Sequence, residues 1–306
     1  MTSSSSKKKA LNKRLLVLSV GLSAIIIFGF IAYKMFFQNQ ETKFSLKAAI
    51  VDQLSEHFPN ATFIIRARNL LENAGFTVSY FNSENVTVPF YRKLVEEGYG
   101  IIIFRAHSAL RNETTIVDLF TSEKYRQGAY PEYSGLLSIA KYFVPLEQAT
   151  NQSYFAITPD FIKTFGNFPK SIIIAMGCSS LKVNCYGMAE AFISRRAIAY
   201  VGWNETVLPD DTDYETARFL EEFLGLNKTL EDAVEMTGQH RYRDPSTNIN
   251  VTSRMEFYPL SERKLRISDL IAEAKGSKTL TAFNNIGQAS FLIVNINLKS
   301  KGLLMD

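Results

Sequence analysis

Two apolar runs in this 306-residue chain end in side chains that can do covalent chemistry. Residues 101–108 read IIIFRAHS and deliver His107; residues 172–180 read IIIAMGCSS and deliver Cys178. If the two runs are neighbouring strands, their axes lie about 4.8 Å apart and both side chains reach the C-terminal edge of one sheet. A thiol beside an imidazole loses its proton near neutral pH. The thiolate can then attack a carbonyl carbon, and the imidazolium can protonate the leaving amine. Backbone N–H groups of Ser108 and Cys178 are candidates for the oxyanion hole. Gly177 lets the main chain approach a substrate closely. Each residue alone has a plainer explanation, Cys178 as a small core residue and His107 as a structural hydrogen-bonding group. A Cys178–Cys185 disulfide is a further alternative in an oxidising compartment; otherwise Cys185 reads as packing near the following helix. His57 in SEHFPN and His240 in GQHRYRDP read as solvated loop residues.

The elements that must position this pair alternate along the chain. Ala48–Val51, Thr77–Phe81, Gly100–Arg105, Ser171–Ala175 and Ala197–Trp203 read as strands. Thr62–Ala74, Pro89–Glu97, Met188–Ser194, Asp213–Leu224 and Leu230–Met236 have helical spacing, the first closed by Gly75 and the second by Gly98. Such alternation predicts an α/β domain, a mostly parallel sheet covered by helices on both faces. Working residues then gather at the C-terminal ends of the strands. Residues 45–236 make this domain. Residues 106–170 are too long for a tight crossover, and their Tyr, Ser and Pro content predicts a substrate-facing insertion. The extension 237–306 contains helical spacing over Ser261–Ala274 and a strand-like FLIVNINL at Phe291–Leu298.

The composition is 46% hydrophobic and 21% charged, which excludes a disordered chain. Two cysteines exclude a disulfide-stapled scaffold and, with three histidines, weigh against a classical zinc site. The net charge of +4 is unevenly spread. Residues 1–14 carry five basic residues and no acid, and residues 38–306 sum to −2. The folded part therefore gives no electrostatic reason to expect nucleic acid. Residues 15–33 hold no charge, enough to span a bilayer core of about 30 Å. The basic arm on their N-terminal side predicts a single-pass anchor over 15–37, with the arm cytoplasmic, a tether over 38–44 and the main domain outside the cytoplasm. A cleaved signal peptide is the competing reading. N-x-S/T triplets begin at Asn60, Asn85, Asn112, Asn151, Asn204, Asn227 and Asn250. Seven exceed the roughly three that this Asn, Ser and Thr content gives by chance, which favours a glycosylated surface.

With these residues in view, the chain resembles the caspase-like (clan CD) cysteine peptidases, nearest to the gingipain, clostripain and CHAT-type domains. In that group one apolar strand ends in His and a later one in the nucleophile, as here in IIIFRAHS and IIIAMGCSS. MAEAFISRRAIAYVGW, DDTDYETARFLEEFLG and TLEDAVEMT resemble the segments that follow, so the likeness covers roughly residues 45–236. It implies a caspase-like three-layer fold and a Cys178–His107 endopeptidase acting on peptide or protein. No cofactor is implied, although calcium activates some relatives. The residue after His is Gly in most active members and Ser108 here. In basic-specific members an acid binds the substrate's basic side chain; Asp52, Asp210, Asp211 or Asp213 could serve, and Trp203 could wall a subsite. The alternatives are a catalytically inactive caspase-like binding or scaffold module, and an α/β protein that binds a small ligand.

Overall fold

The computed structural model describes residues 29, 43–111, 114–141, 152–243 and 248–276. The expected anchor over 15–37, Gly29 apart, and the strand-like 291–298 lie outside the described residues. No helix among the described residues is long and apolar enough to cross a membrane.

The expected mixed α/β architecture is present. Strands β1 (Lys47–Asp52), β2 (Thr77–Phe81), β3 (Ile101–Arg105), β8 (Ile172–Ala175), β9 (Ala199–Trp203) and β12 (Met255–Tyr258) form one sheet in the order β12-β9-β8-β3-β1-β2. All neighbours run parallel except β12, which is antiparallel to β9. Its central strands are apolar at nearly every position because both faces are covered. Alternation with a period of two divides them. Ile101, Ile103, Ile172 and Ile174 pack with Phe63 and Leu71 of α1 (Ala61–Asn73) and Phe219 and Leu220 of α5 (Pro209–Leu220). Ile102, Phe104, Ile173 and Ala175 pack against the opposite layer. That layer holds Tyr91 of α2 (Val88–Leu94), Phe161 of α3 (Pro159–Phe165) and Phe192 of α4 (Gly187–Ser194). Each large side chain buried this way contributes about 1.5–3 kcal/mol. The helices start where side chains can cap them. Asn60, Thr87 and Thr158 accept from the backbone N–H of Phe63, Phe90 and Phe161, and Gly75 (φ 96°) takes the left-handed residue that ends α1.

Residues 106–170 are built more regularly than expected. β4 (Ser108–Leu110), β5 (Val117–Lys124), β6 (Leu137–Ala140) and β7 (Tyr154–Ile157) make an antiparallel sheet in the order β4-β5-β7-β6. The period-two signal was obscured because Val117–Thr121 and all of β7 are buried, giving continuous runs in place of alternation. The tail also contributes to the main sheet. After α6 (Leu230–Glu235), β10 (His240–Arg243) pairs with β11 (Asn250–Ser253), and β12 then closes the β9 edge with Met255 opposite Trp203. A final helix, α7, covers 267–276.

Candidate functional site

The two strands that carry the expected pair are direct neighbours. β3 and β8 run parallel with Phe104 opposite Ala175, and the Met176 N–H extends the ladder to the Phe104 carbonyl at 2.9 Å. Three further residues on each strand lead to His107 and Cys178. Cys178 packs against the core on the Ile172 and Ile174 face of the sheet. The segments beyond the strands touch. The Ser108 hydroxyl donates to the Cys178 carbonyl at 2.8 Å. A methyl group on Gly177 would lie 2.5 Å from the Ala106 carbonyl oxygen and 2.6 Å from the Ser108 nitrogen. Gly177 therefore serves a close approach between two backbones, rather than only the substrate approach expected.

His107 is fixed through its main chain and by aromatic neighbours. Its N–H donates to Gln53 Oε1 at 3.0 Å, and its carbonyl accepts from the Phe120 N–H at 3.0 Å. Its ring lies edge-on to Phe58, with centroids 6.0 Å apart, and 6.2 Å from Phe120. Since residue 107 is the hydrogen-bonded position opposite Phe120, antiparallel alternation turns the next N–H, that of Ser108, away from β5. Ser108 itself is buried.

Cys178 is half-buried and, like Cys185, a free thiol; no disulfide joins them. Its S–H donates to the Val207 carbonyl at 3.4 Å, and burial pushes the thiol up from its ordinary range. The turn that carries it is pinned on both sides. Ser179 is held at φ 53°, a left-handed conformation unusual for serine, with its N–H on the Glu205 carbonyl at 3.0 Å. Ser180 accepts from the Trp203 N–H at 2.9 Å and donates to the Ala175 carbonyl at 3.0 Å. Lys182 and Glu205 form an ion pair at 2.5 Å. Cys185 is buried just before α4, where packing near that helix was expected.

Three of the four acids expected to meet a substrate, Asp52, Asp211 and Asp213, have partners inside the protein. Asp52 is 1% exposed; it accepts from Arg105 Nη1 at 2.7 Å and from the Tyr80 hydroxyl at 3.1 Å. Burial pushes its carboxyl upward against the pull of the guanidinium. The same neighbourhood raises the Tyr80 phenol to about 12, chiefly through burial. Asp213 takes Arg105 in a fork, 2.7 Å to both oxygens. Trp203 is 0% exposed, with its indole N–H on Thr212 Oγ1 at 2.8 Å, so it is a core residue with no open face. Asp211 pairs with His240 Nδ1 at 3.1 Å, while His240 Nε2 lies 2.9 Å from buried Glu215. His240 is therefore a bridge between two carboxylates of α5 and not a solvated loop residue. His57 is half-buried in the loop after β1. Asp210 stays exposed at the start of α5.

Sequence reading missed Arg105 as an organiser. Its guanidinium also donates to the Phe58 carbonyl at 2.7 Å, and so joins β1, the 53–60 loop and α5 beneath His107. A charge inside an apolar run was the available signal, since a buried guanidinium requires carboxylate partners. Gln53, Phe58, Phe120 and Val207 carried no local signal. They meet the pair only through the register of β1 with β3, the pairing of β4 with β5 and the loop after β9. No group of His, Cys, Asp and Glu suited to a metal ion occurs among the described residues. No protein-family model matches this chain, and no curated protein matches it in sequence.

Proposed function

We propose that this chain is a membrane-anchored, extracytoplasmic cysteine endopeptidase of caspase-like three-layer fold, with Cys178 as nucleophile and His107 as general acid and base. The observation that carries the reading is the β3–β8 register, which leads an imidazole and a thiol to equivalent positions beyond two parallel strands. The left-handed Ser179 beside the thiol adds to it, because backbone strain of about 1–3 kcal/mol concentrates where function demands it.

The chemistry begins from a protonated thiol, since burial favours the neutral form. A bound peptide displaces the Cys178–Val207 contact, and His107 takes the thiol proton. The thiolate adds to the scissile carbonyl carbon, and the developing oxyanion is met by the N–H groups of Ser108 and Cys178. His107 returns the proton to the leaving amine, and water then hydrolyses the thioester. None of these steps calls on a cofactor.

A thiol-directed acyl probe tests this. Wild-type protein is expected to label, Cys178→Ala to lose labelling, and His107→Ala to label about 100-fold more slowly. Equal labelling of wild type and Cys178→Ala, or labelling of neither, ends the peptidase reading. The second reading, a non-catalytic caspase-like module, is favoured by the thiol donating to Val207 and by the Ser108 hydroxyl turned onto the Cys178 carbonyl. It expects no cleavage of any sequence in a mixed peptide library.

A further inference from the structure

The N-x-S/T triplets differ sharply in what the fold has done with their carboxamides. We infer that, of the five with described asparagines, Asn85 and Asn250 are the N-glycosylation sites of the folded protein, and that Asn60, Asn204 and Asn227 stay unmodified in it. This rests on the proposed export of the domain.

Asn85 ends a one-turn helix, Ser83–Asn85, and is exposed. Asn250 opens β11 and is exposed, as is Thr252 two residues on. Among the described residues, neither asparagine's side chain takes part in a hydrogen bond of the fold. The other three are structural. Asn60 Oδ1 caps α1 through the Phe63 N–H at 3.0 Å, and its Nδ2 donates to Asp213 Oδ2 at 2.9 Å. That oxygen belongs to the Arg105 fork, inside the protein. Asn204 Oδ1 accepts from the Arg254 N–H at 2.9 Å, and its Nδ2 faces Glu256 at 3.4 Å. Asn227 sits at φ 52°, and its Oδ1 accepts from the Ser268 N–H at 3.2 Å. The hydroxyl of its triplet, on Thr229, is buried, whereas Thr87 of the Asn85 triplet, though it caps α2, is only half-buried.

In the transfer, the asparagine Nδ2 forms a bond to the anomeric carbon of a lipid-phosphate-linked oligosaccharide. The bond from that carbon to the phosphate oxygen breaks, the lipid phosphate leaves with the electron pair, and Nδ2 gives up one proton to the transferase or water. The sugar then needs space around Nδ2. At Asn85 and Asn250 that space is solvent. At Asn60 it is occupied by the Asp213 carboxylate that also holds Arg105, so a sugar there crowds that ion pair and a chain so modified drops out of the folded pool.

The test uses the full chain made in a eukaryotic secretory host. The folded, monodisperse fraction is deglycosylated enzymatically in isotopic water, and each asparagine is read by peptide mass spectrometry. Membrane sidedness is read in parallel by protease protection. Occupancy at Asn85 and Asn250 is expected to exceed that at Asn60, Asn204 and Asn227 by about tenfold or more. Asn85→Gln and Asn250→Gln are expected to remove their own marked peptides and leave thermal unfolding unchanged. Comparable occupancy at any of the other three, or none at Asn85 and Asn250 in a lumenal domain, overturns this inference alone. A domain left on the cytosolic side overturns the export reading and this inference with it.

Discussion

Arg105 and Cys178 stand near the same end of two adjacent strands, yet their surroundings treat them in opposite ways. The Arg105 side chain is enclosed, and three of its nitrogens meet two carboxylates and a carbonyl at 2.7 Å. Cys178 is half-buried, has a single long contact from its sulfur, and follows a glycine without room for a methyl group. The first arrangement resists change at every atom. The second leaves one reactive atom weakly held inside a tightly fixed turn. The difference separates a residue that builds the rim from one that can react on it.

The comparison breaks most decisively at Arg105. Arg105→Met leaves Asp52 and Asp213 buried without their counter-charge, and the expected loss is about 3–5 kcal/mol in urea unfolding. A loss no larger than that of a surface substitution would remove Arg105 as the organiser of the rim. Gly177→Ala comes next. The added methyl meets the backbone at Ala106 and Ser108, which cannot swing aside as a side chain can. An overpacking cost of about 1–3 kcal/mol is expected in thermal unfolding, with acyl-probe labelling reduced as the two segments part. Unchanged stability would show that the approach of the strand ends is slack.

The smallest effect is the pH dependence carried by the thiol. Burial raises the Cys178 pKa in the folded state above its unfolded value. Its contribution to stability is thus fully present below the ordinary thiol pKa of about 8.5 and is lost as pH rises through the folded value. Above that ordinary pKa the unfolded chain binds fewer protons, so stability falls with pH. Chemical unfolding across the alkaline range should show a downward slope in wild type that is shallower in Cys178→Ala. Equal slopes would mean the thiol is better solvated than its place against the core indicates.

Much of this rim was legible from residue order. IIIFR and SIIIA announced strands buried on both faces; that they are neighbours was only a condition in the sequence, and the β3–β8 pairing meets it. Gly75 correctly marked where the first helical segment stops, with positive φ; the second stops at Leu94, four residues before Gly98, where it was expected to run to Glu97. The roles of Asp52, Asp211 and His240 did not follow. A carboxylate at a strand end looks the same in sequence whether it faces substrate or a guanidinium. Only the Asp52–Arg105 register and the approach of α5 decide between them. The second sheet was hidden for a related reason, because a strand buried on both faces carries no alternation to read. Trp203 was expected at a surface because its position was known and its burial was not.

The placement of β12 has a consequence for how the protein is made. β9 ends at Trp203, but the strand that seals its outer margin begins at Met255, some fifty residues later in synthesis. Until that stretch leaves the ribosome, Tyr200, Val201 and Trp203 belong to a raw margin able to recruit the wrong chain. The β9 margin is thus complete in sequence well before it is covered in space, and its safekeeping during that interval falls to whatever receives the nascent polypeptide.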